Sequence, residues 1–138
     1  MQAPELQVKN PDTNEPILLE NYKGKALLLT FWVSWCPDSM RDLPNKEQLY
    51  KAMETNQLDL LMINVTGREG EQDAGINYYK ENHFTAPLGL DTGTKTYDSY
   101  RCMSVPTTFL LDKNHNIVAS FNDKAPFQEI LGSLSRVL

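Results

Sequence analysis

Seven consecutive residues, Ala26-Leu27-Leu28-Leu29-Thr30-Phe31-Trp32, are apolar on both alternating faces, broken only by one threonine. A strand of that kind cannot border water on either side, so it belongs in the middle of a sheet with helices covering both faces. From Pro37 to about Glu54, Met40, Leu43, Tyr50 and Met53 recur at helical spacing. Pro37 suits the first turn of that helix, and Pro44 is expected to kink it, having no N–H to give. Leu58 to Val65 predicts the next strand. Glu69 to about Asn82 predicts a second helix with Glu69, Glu71 and Asp73 at its positive end, although Gly75 weakens that prediction.

The flanking segments complete the architecture. Leu6 to Val8 and Ile17 to Leu19, separated by the turn-rich Asn10-Pro11-Asp12-Thr13-Asn14, predict a small N-terminal β-hairpin. Pro87 to Leu90 is a short apolar stretch and Thr94 to Tyr100 a short helical one. Thr107 to Leu111 and Ile117 to Phe121 read as strands joined closely enough for an antiparallel pair. Phe127, Ile130, Leu131, Leu134, Val137 and Leu138 then mark one face of a C-terminal helix. A parallel βαβ half followed by an antiparallel ββα half is an α/β fold, a three-layer α/β/α sandwich around a mixed sheet. With 138 residues the chain fits one domain, 1–138.

Composition narrows the function. The apolar fraction of 41% and the charged fraction of 22% support a buried core and a solvated surface and exclude a disordered chain. A net charge of −5, with no basic run, disfavours nucleic acid as a partner, because such binding depends on neutralising phosphates. The longest apolar stretch, Ala26 to Val33, falls well short of the roughly 20 residues that cross a bilayer, so no membrane span is expected. The start, Met-Gln-Ala-Pro-Glu-Leu, has neither the basic flank nor the apolar block of a signal peptide. An extracytoplasmic location is expected if a leader or anchor has been trimmed, and a cytoplasmic one if the chain is complete. The two cysteines, Cys36 and Cys102, are too few for a disulfide framework.

Trp35-Cys36-Pro37-Asp38-Ser39 falls where the central strand ends and a helix begins. The unpaired N–H groups and dipole of a helix N-terminus stabilise an anion, and a thiolate at Cys36 is one. Asp38 in the same turn opposes that effect, so a moderate activation is expected. An inert packed cysteine is the alternative, but the strand-to-helix junction favours a reactive thiol. Cys102 reads as a small core hydrophobe. His83 reads as a loop residue and His115 as a turn residue, without metal-ligand spacing, and no metal or cofactor is expected. Tyr78 and Tyr79 read as packing residues.

Phe31 to Ser39, then Arg41 and Leu43-Pro44, and later Ser104-Val105-Pro106-Thr107-Thr108-Phe109-Leu110-Leu111-Asp112 resemble the thioredoxin superfamily, and within it the TlpA and ResA type of thiol-disulfide oxidoreductase. The likeness extends over nearly the whole chain and implies a thioredoxin-like fold. It implies that Cys36 is the nucleophile and that the resolving cysteine of Trp-Cys-x-x-Cys is replaced by Ser39. A serine hydroxyl is hardly ionised at neutral pH and cannot displace a thiol from a mixed disulfide, so the ordinary dithiol cycle is blocked. Two readings of Ser39 stay open: a natural monothiol protein, or a Cys-to-Ser change of the kind used to trap mixed disulfides, which the intact surroundings favour slightly. The resemblance further implies a cis-proline loop at Val105-Pro106-Thr107 that faces Cys36 and pairs with the substrate backbone. Trp35 and Pro37 join it as substrate-binding residues. Thioredoxin's buried aspartate, six residues before the nucleophile, is Thr30 here. ResA-type relatives imply a carboxylate from the region after the second central strand. Glu69 is the candidate proton shuttle there, with a solvated glutamate at a helix start as the alternative.

The expected activity is therefore thiol-disulfide exchange by a monomer, with protein or small-molecule disulfides and thiols as partners. Thiol peroxidases of the same superfamily resemble Pro-x-x-x-Thr-x-x-Cys, and the matching positions here are Leu29 and Val33, which makes that activity the weaker alternative. A thioredoxin-like binding module without catalysis is the third.

Overall fold

The computed structural model describes all 138 residues, Met1 to Leu138. Strands β1 (Val8–Lys9) and β2 (Pro16–Ile17) form the N-terminal hairpin. The chain continues through β3 (Ala26–Trp32), α1 (Pro37–Ala52), β4 (Leu58–Asn64), α2 (Ala74–Glu81), β5 (Leu88–Asp91), α3 (Lys95–Ser99), β6 (Thr107–Leu111), β7 (Ile117–Phe121) and α4 (Phe127–Ser133). One seven-stranded sheet has the order β2-β1-β5-β4-β3-β6-β7. β3, β4 and β5 run parallel, while β1, β2, β6 and β7 join antiparallel, giving the mixed sheet.

All seven residues of β3 are buried, as a central strand requires. Its alternation divides the core. Leu27, Leu29 and Phe31 face the N-terminal segment and α3, packing with Ala3, Leu6, Leu19, Tyr97 and Tyr100. Leu28 and Trp32 point the other way, Leu28 toward α4 at Ile130 and Trp32 toward α1 and α2 at Leu43 and Tyr79. The two helical layers and the sheet make a three-layer α/β/α sandwich. No helix is long and apolar enough to cross a membrane.

Several boundaries differ from expectation, each for a local reason. The hairpin is displaced inward from Leu6–Val8 and Ile17–Leu19, because Glu5 Oε1 accepts the Leu6 and Leu19 N–H groups and holds both leucines in the core instead of in strands. Between β1 and β2, Asn10 Oδ1 accepts from the N–H groups of Asp12 and Thr13 and closes the turn. α2 starts at Ala74, not Glu69, because Thr66–Arg68 forms a tight 3-10 turn after β4 and Glu69 is extended. The last turn of the C-terminal helix also tightens to 3-10 geometry, at Leu134–Arg136. α1 carries Pro44 within it and ends at Ala52, two residues short of the expected Glu54. On the outer strand, β7 carries an irregularity that leaves Val118 outside the pairing with β6, and the Arg136 guanidinium donates to the Val118 carbonyl at 3.2 Å.

Candidate functional site

β3 delivers the chain to the edge of the sandwich, and Val33–Trp35 turns it into α1. Cys36 is the N-cap of that helix, with extended backbone, and its carbonyl accepts the Met40 N–H at 2.9 Å. Pro37 takes the first helical position, where its missing N–H costs nothing. The thiol is half-buried against the Phe31 side of the core and donates to the Val105 carbonyl at 3.5 Å. The Val105–Pro106 bond is cis. Val105, Pro106 and Thr107 are all buried, and Thr107 Oγ1 donates to Ser104 O at 2.6 Å, so the loop meets Cys36 with its backbone. Trp35, by contrast, is 56% exposed. Its indole edge is fixed all the same, since Nε1 donates to the Arg68 carbonyl at 2.8 Å.

Ser39 lies one turn into α1 and is wholly buried, its Oγ accepting a long bond of 3.4 Å from Val33 N–H. Asp38, expected to oppose a thiolate, is paired with Arg41, so that carboxylate has a local counter-charge.

Glu69 reaches the site from the far side, and its carboxylate is fully engaged. One oxygen accepts the Ser34 N–H at 2.8 Å and the Asn64 Nδ2 at 2.7 Å; the other accepts the Ser34 hydroxyl at 2.7 Å. Neither oxygen is bonded to Cys36. Asn64 Nδ2 also meets the Trp32 carbonyl at 3.3 Å. Together with the Trp35–Arg68 bond, these contacts clamp the loop that carries Cys36 to the end of β4. Sequence reasoning found Glu69 but not Ser34 or Asn64, whose roles arise only when β3 and β4 pair in register, Trp32 opposite Asn64.

A second group went unread in the sequence. Lys46, on α1, is completely buried, and its Nζ lies 2.9 Å from Thr30 Oγ1, 2.9 Å from Asp42 Oδ2 and 3.0 Å from Thr108 Oγ1. Three acceptors match the three donors of an ammonium ion. Burial pulls the Lys46 pKa below the ordinary lysine range, while the charge and hydrogen bond of Asp42 pull it back. The available signal was helical phase: Leu43, Lys46 and Tyr50 share one face of α1, and two of the three are apolar. A groove of about 210 Å³ lies outside this cluster, with Asp42, Pro106, Thr108 and Asp123 among its walls.

The remaining candidates lie away from this chemistry. Cys102 is half-buried against the same core cluster as Cys36, and burial, with Asp91 and Asp98 adding to it, pushes its thiol up to about 12. His83 is exposed at a left-handed turn position, and buried His115 meets the Tyr22 carbonyl through Nε2 at 3.0 Å. No three His, Cys, Asp or Glu side chains converge as a metal site. Tyr79 stacks on Trp32 with ring centroids 5.6 Å apart, and Tyr78 packs beside it.

Fold and site together define a thioredoxin-like protein with one half-buried cysteine capping its longest helix. The chain belongs to the AhpC/TSA family, whose model matches residues 1–120. It is 32% identical over 103 residues to the sporulation thiol-disulfide oxidoreductase A of Bacillus subtilis, covering 75% of this chain and 62% of that protein. It is 31% identical over 109 residues to thiol-disulfide oxidoreductase ResA of the same organism, covering 78% of this chain and 59% of that one. The chain thus spans about three fifths of the length of these two relatives. Among solved structures, the pneumococcal exposed lipoprotein thioredoxin Etrx1 of Streptococcus pneumoniae superposes with a TM-score of 0.81 at 27% identity, over 96% of this chain and 99% of that one.

Proposed function

We propose that this chain is a thiol-disulfide oxidoreductase whose single nucleophile is Cys36. The observation that carries this reading is the position of Cys36, the N-cap residue of α1, with its thiol 3.5 Å from the carbonyl of Val105, the residue before cis-Pro106. The helix end favours the thiolate. That thiolate attacks one sulfur of a substrate disulfide: a Cys36–substrate S–S bond forms, the substrate S–S bond breaks, and the other sulfur leaves as a thiolate. Substrate backbone lies along Val105–Thr107, with the exposed face of Trp35 and Pro37 as the apolar platform. Glu69 holds the loop through Ser34 in this mechanism and is a positioning residue. Because Ser39 is buried and cannot act as a resolving thiol, a second thiol from outside attacks the mixed disulfide and restores the Cys36 thiolate. Partners are protein or small-molecule disulfides and thiols, with one chain as the working unit. Leu29 and Val33, where the peroxidase pattern has proline and threonine, are fully buried core residues.

The test is intact mass of the chain mixed with oxidised glutathione, then with reduced glutathione, beside the Ser39→Cys variant. One stable adduct on Cys36, released only by added thiol, together with self-release in the variant, is the expected result. A Cys36 that reacts no faster than the thiol of a short unstructured peptide would overturn the reading in favour of a binding module.

A further inference from the structure

Lys46 poses a physical problem. An ammonium ion is rarely taken wholly out of water, and when it is, a partner charge and filled hydrogen bonds must offset the lost hydration. Here the offset comes from three elements at once: Asp42 one turn earlier on α1, Thr30 on β3 and Thr108 on β6. Thr30 and Thr108 are register partners across the two strands. β3 is the strand that leads into Cys36, and β6 begins directly after cis-Pro106. The cluster therefore joins the three elements that converge on the thiol. Helical side chains lean toward the helix N-terminus, so Lys46 projects back along α1 toward Asp42 and the end that Cys36 caps.

Charge arithmetic follows from this placement. Asp42 lies six residues from Cys36, about 9 Å along a helix of 1.5 Å rise per residue. An uncompensated carboxylate at that range inside a protein opposes a thiolate at Cys36. The other charged groups nearby are Glu69, hydrogen-bonded to Ser34 two residues before Cys36, with Arg68 beside it, the Asp38–Arg41 pair at the first turn of α1, and Asp123, which shares the outer groove with Asp42; β3 and β6 bring only the two threonines.

We propose that Lys46 is a positioning residue whose buried charge cancels that of Asp42 and so keeps Cys36 reactive at neutral pH. The proposal rests on the reading of Cys36 as nucleophile, but its test needs no substrate. The rate of Cys36 alkylation by iodoacetamide is followed against pH in the parent chain, in Lys46→Met, in Lys46→Gln and in Lys46→Met combined with Asp42→Asn. Lys46→Gln removes the charge but keeps a polar donor on that side chain, which serves if the methionine variant does not fold. Either single variant is expected to move the midpoint of the profile upward by about 0.5–1 pH unit, which slows alkylation at pH 7 by roughly 3- to 10-fold. The double variant is expected to return to the parent midpoint. Coincident midpoints in the folded single variants, whatever their melting temperatures, would overturn the proposal and leave Lys46 a packing residue. An upward shift that persists in the double variant would overturn it too. Failure of the disulfide reading would appear separately, as a parent chain that alkylates normally but forms no adduct with oxidised glutathione.

Discussion

Cys36 and Cys102 pack against one core cluster, but the surroundings of the two sulfurs differ. Cys36 is the N-cap residue of a helix, and its thiol's one hydrogen bond is to the Val105 carbonyl. Cys102 is buried near Asp91 and Asp98, and its thiol is pushed up to about 12. At pH 8 that thiol therefore stays protonated. Native chain treated with limiting iodoacetamide at pH 8 is expected to gain one adduct, on Cys36, with Cys102 modified only after denaturation; peptide mapping by mass spectrometry checks this. Cys36, Trp35 and Pro106 were legible in the sequence because each sits in a contiguous motif that fixes its neighbours. Lys46 was not, since a lysine on a helix ordinarily points to water. The approach of Thr30 and Thr108, 16 and 62 residues away, turns it inward.

At the scale of elements, strands β3, β4, β6 and β7 were readable because alternation and strand length arise within each segment. The start of α2 was not, because it is decided by a contact with another element. Glu69, which read as a helix-start acid, is drawn to Ser34 and Asn64 instead, and the helix waits until Ala74. Gly75, which weakened the helix prediction, has a reason in the same contact: a Cβ there would collide with the Asn64 carboxamide. Helix propensity alone predicts that Gly75→Ala stabilises by roughly 1 kcal/mol. The collision reverses that sign, and a net loss of about 1–3 kcal/mol is expected. A lower melting temperature for Gly75→Ala bears this out, and a higher one refutes it.

Across the whole molecule, the site is assembled from segments around residues 34–39, 64–69 and 105–107, so its geometry depends on how layers are joined. Glu47 supplies one such joint. Its carboxylate accepts from the Thr85 and Ala86 N–H groups at 2.9 Å and from the Thr85 hydroxyl at 2.5 Å, tying α1 to the loop after α2. Burial raises the Glu47 pKa, but these hydrogen bonds and Lys51 outweigh it, so the net shift is downward. A carboxylate held below its unfolded value adds stability that is complete above that value and is lost as pH falls through the folded one. Glu47→Gln is therefore expected to lower the melting temperature at pH 7, by about 1–3 kcal/mol of stability. The gap from the parent chain should narrow steadily below about pH 4.5, as thermal melts at several pH values will report.

The two outer strands of the sheet have a consequence of their own. An open strand edge is a template on which another molecule can extend the sheet, and long flat edges lead to aggregation. On one side β2 is two residues long and begins with Pro16, which has no N–H to offer. On the other, β7 is interrupted at Val118, and Arg136 already occupies the carbonyl there. Neither border presents an unbroken ladder, so concentrated solutions of the folded chain are expected to resist edge-to-edge stacking.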